Sequence, residues 1–585
     1  MIYEENVIIK NPRKVNIRFA SCYPNIYRIA MSSLGYQIIY DMVNSREDSY
    51  CERVIYPNPK SVETNSSLKD FDIVSFTIQY EQDYFNMLKL LKLNGIPLKR
   101  EERENKANEN KTNNSNDKNK TIKRNKTTKR NKTNDSEYPL IIAGGPCVTS
   151  NPLPISDFID IFILGEAEEV LNNFLDRYNS LENPYDLDAY LDIKGVYIYD
   201  KKSEIAIVKD MDNAWHITNP IVVKTNDEEY LPSLGNSILL NVSRGCIRGC
   251  RFCMSGYMYR PMRETSLKKL MSVAKEARNN TGINKVSLIG PSVSDYSQIE
   301  TLTKKLLKEG FKVSTPSIRI ESLTKEILIN LKESGAKSIT LAPESIYSLR
   351  KSLNKDISDK KIFEVIENAL NLDFNIKFYF LIGIMNETKE DIEELSEYIK
   401  YLNNMKNEIN PKSKFKFSIN PLIPKAHTPF QWTSYNLNDI KSKYKILQKN
   451  LKLSNKNNKT NKTQNKNNKK NKISNKTYKI SNKITKTDKI NDKINIKFDS
   501  PRFGLIQYVL STKGREIGEL IEKSIPTVLN NDTLENINKL NLDFNLWKKY
   551  LTEHNINENL PWKNINVSVT DRYLKRELKN MENSD

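Results

Sequence analysis

Cysteine and histidine are scarce in this chain, with six and three respectively among 585 residues. So few cysteines in so long a sequence exclude a small disulfide-stapled scaffold, which concentrates them in short secreted chains. Long hydrophobic runs are missing as well. Stretches such as Phe378 to Ile384 fall far short of the ~20 apolar residues that a membrane-spanning helix needs. Met1 to Asn16 carries Glu4 and Glu5 and no apolar signal-type core, so the expectation is a cytoplasmic protein whose thiols stay reduced. At ~100–200 residues per domain, the length predicts three or four domains.

Charge of one sign dominates, but only locally. The formal charge is +20, and two segments carry +18 of it: Lys111 to Ser136, with a net of +7, and Ser454 to Lys493, with +11. Both are rich in Asn, Lys, Thr and Ser and too polar to bury the apolar surface that would offset chain entropy, so they read as disordered insertions. The remainder is close to neutral, and the nucleic-acid signature that +20 suggests belongs to loops.

Outside the insertions, short apolar runs alternate with helical spacing. Strands are expected at Lys14 to Ala20, Arg53 to Tyr56, Asp72 to Thr77, Pro139 to Ala143 and Asp160 to Leu164, with helices at Ile29 to Val43, Tyr84 to Leu93 and Glu166 to Tyr178. This alternation predicts an α/β fold with a parallel sheet over 1–200, interrupted by the 111–136 insertion and followed by a 201–235 linker. Over 236–453 the pattern repeats with six strand candidates, Ile238 to Val242, Val286 to Ile289, Phe311 to Ser314, Ser338 to Leu341, Ile376 to Ile382 and Lys414 to Ile419. Six such βα units predict a full or partial TIM-type barrel, whose chemistry would sit at the strand carboxyl ends. After the 454–493 insertion, 498–585 reads as a small α-rich or mixed accessory region ending in a helix at Asp571 to Met581.

Three of the six cysteines fall within eight residues, Cys246-Ile-Arg-Gly-Cys250-Arg-Phe-Cys253, directly after the first barrel strand. Three thiolates in this spacing favour an iron–sulfur cluster or zinc, and zinc would need a fourth ligand, the nearest downstream histidine being the distant His427. On a four-iron cubane, three thiolates leave one iron with an open position. The loop is also rich in Arg and Gly, with Arg244, Gly245, Arg248, Gly249 and Arg251.

At these residues the sequence resembles the radical S-adenosylmethionine (SAM) superfamily, whose C-x3-C-x2-C signature opens a (βα) barrel with an aromatic residue, here Phe252, before the last Cys. Gly144 to Val170, Pro424 to Trp432 and Leu560 to Thr570 extend the likeness to an uncharacterised subfamily with an N-terminal cobalamin-binding-like, Rossmann-like (flavodoxin-like) domain. The resemblance implies that Cys246, Cys250 and Cys253 ligate a 4Fe-4S cluster and that S-adenosyl-L-methionine chelates its fourth iron. An electron from a flavodoxin- or ferredoxin-type donor would then cleave the sulfonium C–S bond reductively and give a radical that modifies a substrate, RNA or protein among the candidates. SAM contacts would come from Phe252, Gly290, Ser292, Ser317, Arg319, Glu344 and Gly383. Gly290-Pro291-Ser292 stands where many relatives carry Gly-Gly-Glu, and the Glu is absent here.

Cobalamin contacts would come from Ser75, Gly144, Gly145 and Gly165, and bound cobalamin would direct the reaction to methyl transfer. No histidine precedes His216, so no histidine of this domain can coordinate cobalt. Two alternatives stand beside this reading. One is a methylthiotransferase-like enzyme without cobalamin, with Cys22, Cys51 and Cys147 as a second ligand set; the other is a non-catalytic iron–sulfur or nucleic-acid-binding protein. His427, after the last barrel strand, is as often a hydrogen-bonded structural residue as a functional one and is assigned no catalytic role.

Overall fold

The computed structural model describes residues 3–104, 137–315, 318–453, 494–526 and 540–583; both basic insertions and Ser317 lie outside them. The first segment forms a six-stranded sheet in the order Ser49–Ile55, Ile17–Tyr23, Ile73–Thr77, Leu140–Gly144, Ile161–Ile163, Val196–Tyr197. The first five strands are parallel and the last is antiparallel. A parallel sheet is buried on both faces. Ile17, Phe19, Cys51 and Ile142 therefore pack with Ile38, Val43, Phe174 and Leu175 of helices Leu34–Ser45 and Leu171–Ser180. Cys22, Val74, Phe76 and Ala143 face the other way, toward Tyr84 and Leu88 of helix Asp83–Leu93, in a core continuous with the second half of the chain.

Four sequence expectations shift here, one being the strand expected at Arg53 to Tyr56, which spans Ser49–Ile55. Apparent alternation placed the first strand at Lys14 to Ala20, but it runs from Ile17 to Tyr23, because Arg18 is buried and paired with Glu52 at 2.8 Å instead of facing water. Helical spacing over Ile29 to Val43 resolves into Tyr27–Ala30 and Leu34–Ser45, the latter begun by Ser33, whose side chain accepts from the Tyr36 N–H. Glu166 to Tyr178 divides into a 3-10 turn, Ala167–Glu169, and the helix Leu171–Ser180. The 201–235 stretch carries Ser203–Glu204, paired with Ile565–Asn566, and Val222–Lys224, paired with Tyr3–Glu5.

All six strands expected in the second segment are present. Ile238–Asn241, Lys285–Ile289 and Lys312–Ser314 form one parallel sheet. Ser338–Glu344, Asn375–Ile382 and Phe415–Pro421 form another. A strand that sequence patterning missed, Ile496–Phe498, adds to the second sheet in parallel, with Phe417 opposite Ile496. The intervening helices include Leu267–Thr281, Ile299–Lys308, Lys325–Glu333, Asp359–Asn371 and Lys389–Ile409. Strict alternation along Asn375–Ile382 buries Phe378, Phe380 and Ile382 and leaves Lys377, Tyr379 and Leu381 half-buried on the opposite face. No helix among the described residues is long and apolar enough to cross a membrane.

The C-terminal segment fastens onto both halves. Asn151 Nδ2 of the first segment donates to the Ser511 and Lys513 carbonyls, at 3.2 and 2.8 Å. Trp547 is fully buried, edge-on to Phe85 with ring centroids 6.0 Å apart. Trp547→Ala should cost about 3–5 kcal/mol of stability by opening a cavity between the segments, read as a lower midpoint in urea denaturation.

Candidate cofactor site

Strand Ile238–Asn241 ends just before Ser243–Arg244, which pairs antiparallel with Arg263–Glu264 and closes residues 245–262 into a loop. That loop carries Cys246, Cys250 and Cys253. Its neck requires Gly245: φ is +72°, and a Cβ there would stand 2.2 Å from the Tyr259 carbonyl oxygen. Backbone carbonyls within the loop are held from outside and across it. The Gly249 carbonyl accepts from Asn354 Nδ2 at 2.8 Å and from the Tyr257 hydroxyl at 3.0 Å, and the Arg248 carbonyl accepts from Arg260 Nη2 at 2.9 Å.

Arg244, Arg248, Arg251 and Arg263 each have a carboxylate partner, whereas Arg260 donates to the Gly256 and Arg248 carbonyls. Arg244 meets Glu168 at 2.5 Å and Glu166 at 3.4 Å, and Arg263 meets Glu166 at 2.9 Å. Arg248 meets Asp295 at 2.7 Å, and Arg251 meets Glu577 at 3.1 Å. Sequence reading missed all four carboxylates in this role, although their arginines were conspicuous; Asp295, five residues beyond Gly290, was the nearest to a readable signal.

Two of the thiols are buried and the third, Cys253, is half-buried. Burial pushes Cys253 up to about 11, and the neighbouring Cys250 and Cys246 push the same way. Burial also raises Cys246, against the Arg248 N–H and Arg319, which favour its thiolate. Arg319 Nη1 lies 3.5 Å from Cys250 Sγ and its other nitrogen meets Glu321. Buried thiols that repel one another as thiolates are a set that cationic metal stabilises. Among the described residues, no three His, Cys, Asp or Glu side chains are gathered as a single-ion site.

The surroundings are short of partners in the same region. Ser243 Oγ, Arg319 Nε, Glu321 Oε2, Ser345 Oγ and Asn420 Oδ1 are buried without hydrogen bonds, and all lie at or just beyond strand carboxyl ends. Buried polar groups are ordinarily satisfied, so this rim fits a polar cofactor. The expected SAM residues divide. Phe252 is half-buried against the core, and Gly290 lines a cavity described below. Ser292 Oγ donates to Asp295 at 2.7 Å, and Gly383, with φ +90°, donates its N–H to Glu387 at 2.7 Å. Glu344, expected to take an amino or hydroxyl group, is buried and already ion-paired with Lys355 at 2.7 Å.

A cavity of about 410 Å³ separates the first sheet from the cysteine loop. Ser75, Gly144, Gly145 and Gly165 line its first-sheet side, and Arg244, Gly245 and Gly290 line the other. Two of these glycines answer to the backbone as well: a Cβ on Gly145 would stand 2.4 Å from the Ile78 carbonyl oxygen, and one on Gly165 would stand 2.1 Å from that of Ala206. Cys22, Cys51 and Cys147 do not gather beside it as a second ligand set. Cys22 and Cys51 lie on opposite faces of the sheet, and Cys147 donates to the Gln79 carbonyl at 3.1 Å.

Asp295 fixes the cysteine loop to the second strand. Burial alone would raise its pKa, but hydrogen bonds from Arg248, Ser322 and Ser292 pull it down to about 2. A depressed carboxylate stabilises the fold fully above its ordinary value near ~4 and loses that contribution as pH falls through the folded value. Asp295→Asn should therefore cost about 1.5–3 kcal/mol at neutral pH and flatten the stability profile between about pH 4 and 2, as followed by urea denaturation across that range.

Residues 240–399 match the Radical SAM superfamily, and residues 35–108 and 120–198 match its description of N-terminal regions of radical SAM proteins. An uncharacterized protein of Methanocaldococcus jannaschii is 33% identical over 438 residues, which cover 74% of this chain and 83% of that one. The anaerobic magnesium-protoporphyrin IX monomethyl ester cyclase of Cereibacter sphaeroides is 25% identical over 252 residues, 40% of each chain. Among solved structures, the radical SAM methyltransferase TsrM of Kitasatospora setae, with cobalamin and a [4Fe-4S] cluster bound, aligns over 71% of this chain and 76% of its own at 9% identity, with a TM-score of 0.46. A cysteine loop of this spacing on a βα strand exit, matched in both halves of the chain and across most of a relative, makes the protein a radical SAM enzyme, a member of the superfamily that works with a 4Fe-4S cluster and S-adenosylmethionine.

Proposed function

We propose that Cys246, Cys250 and Cys253 hold the 4Fe-4S cluster and that the enzyme joins it to a corrinoid across the 410 Å³ cavity. On this reading residues 1–200 are a flavodoxin-like cobalamin-binding domain, 236–453 an open (βα)6 barrel and 498–585 a region that braces both. The strand order is that of flavodoxin-like folds, which bind ligands outside strand carboxyl ends. The observation that carries the proposal is the shared wall: the cavity that Ser75, Gly144, Gly145 and Gly165 line is closed on its far side by the neck of the cysteine loop.

When bound, the cluster and S-adenosylmethionine supply reductive cleavage of a sulfonium C–S bond, with an electron from a flavodoxin- or ferredoxin-type donor. Chain residues position and shield. Arg319, beside Cys250, offers its unpartnered Nε to a carboxylate, and Ser243 Oγ offers a second polar contact. Phe252 lies half-buried next to Cys253 and supplies an apolar wall for an adenine. Leu34, Ile38, Ile142 and Leu171 give the cavity an apolar wall suited to a macrocycle. The lining contains no histidine, so cobalt held there would take no imidazole from it. Methyl transfer to an unactivated carbon follows where the corrinoid binds; without it, hydrogen abstraction from RNA or protein is the corresponding activity.

Anaerobically reconstituted full-length protein should contain iron and sulfide and release 5′-deoxyadenosine or S-adenosylhomocysteine from S-adenosylmethionine under reduction. Cys246→Ala should lose both cluster and cleavage; a variant that keeps either removes Cys246 from the ligand set. Titration of the same holoprotein with hydroxocobalamin should give a saturable change in visible absorbance. A flat titration sinks the corrinoid reading and leaves the cluster assignment standing.

A further inference from the structure

A second cavity, of about 590 Å³, lies where three parts of the chain meet and shares no lining residue with the first. Lys202 and Ser203 come from the 201–235 stretch that follows the first segment, His427 from the exit of strand Phe415–Pro421, and Trp562, Lys563 and Asp571 from the C-terminal segment. His427 is buried, with 5% of its surface exposed, and its Nε2 has no hydrogen-bond partner. Gln431, Trp562 and Asp571 beside it are linked to one another. Gln431 Oε1 accepts from the His427 backbone N–H at 3.0 Å and from Trp562 Nε1 at 3.1 Å, and its amide donates to Asp571 Oδ1 at 3.3 Å.

Burial holds the His427 ring well down, at about 4, against a favourable contact with the Ser150 backbone, so the ring is neutral at physiological pH. A ring N–H turned toward that backbone leaves Nε2 with its lone pair. The floor thus presents two acceptors, Nε2 and the second oxygen of Asp571, both calling for a donor. Lys202 and Lys563 are exposed at the same cavity. Neither has an ion-pair partner among the described residues, whereas the lining Glu204 is taken by Lys194 at 3.0 Å. Cationic side chains and acceptors lining one cavity complement a small molecule that carries groups of both kinds.

We propose that this cavity binds a free amino acid or short peptide as a zwitterion, its ammonium group directed to His427 Nε2 and Asp571 and its carboxylate to Lys202 and Lys563. The site shares no lining residue with the first cavity or with residues 245–262, and its occupancy requires neither S-adenosylmethionine nor reductant.

With three histidines in the chain, the imidazole resonances of selectively 15N-labelled full-length protein can be assigned by His216→Gln, His427→Gln and His554→Gln. The probes are the free proteinogenic amino acids and glycylglycine, each at millimolar concentration. At least one should move the His427 signal saturably while the other two histidines stay still. Its N-acetylated and C-amidated forms should each bind about tenfold or more weakly. Asp571→Asn, at an exposed position, should reproduce the first loss, and Lys202→Gln with Lys563→Gln the second. A His427 signal that no probe moves, or one moved equally by zwitterion and blocked forms, overturns the proposal.

Discussion

Glu166 is the carboxylate on which the two halves of the molecule depend. It follows the fifth strand of the first sheet, is 7% exposed, and accepts from Arg263 through both oxygens while Arg244 and the Val208 N–H approach the same group. Arg244 and Arg263 face each other across the antiparallel pair at the neck of the cysteine loop. One buried carboxylate therefore fixes the carboxyl edge of one sheet against the base of the cysteine loop of the other. Such a pair costs desolvation and gives net stability only when every member is satisfied, so the geometry between the halves has little room to vary. The cavity between them inherits that definition, since Glu166, Glu168 and Arg244 all line it.

Other ties make the constraint threefold. Glu81, beyond the third strand of the first sheet, meets Lys425 after the last expected strand of the second segment, and Ser511 and Gln507 of helix Pro501–Thr512 join them. Glu577, on the final helix, holds Arg251 inside the cysteine loop. The C-terminal segment is thus more than an appendage, because the loop that carries the thiols is anchored partly from it.

The sequence made some of this readable and hid the rest for identifiable reasons. The cysteine spacing is local, and so is the alternation of strands and helices, so both could be read without knowing the fold. Ser75, Gly144, Gly145 and Gly165, named from the sequence as cobalamin contacts, line one cavity, although close backbone contacts at Ile78 and Ala206 account for two of the glycines by themselves. The ion pairs were not readable. Arg251 and Glu577 stand 326 residues apart, and Arg244 and Glu168 stand 76 apart, with no pattern in either neighbourhood to announce the other. Arg18 misled for a related reason: a charged residue in an apolar run signals solvent only until its partner, Glu52, is known to be buried too. Strand Ile496–Phe498 escaped because it is three residues long and follows a polar insertion.

The pairing of arginines also decides what the site does not use them for. A loop with Arg244, Arg248 and Arg251 beside a chain of charge +20 invites a phosphate-binding reading. Each of those guanidinium groups is turned to a carboxylate of the same chain, and Arg319 divides itself between Glu321 and Cys250. Their charge is neutralised where the thiols sit, which keeps the loop in place and limits its field on an incoming polyanion. The net charge resides instead in two segments remote in sequence from every one of these residues. Among the described residues, the buried polar groups left without partners at the strand carboxyl ends are Ser243, Ser345, Asn420, Glu321 Oε2 and the Nε of Arg319, and not the arginines that first draw the eye.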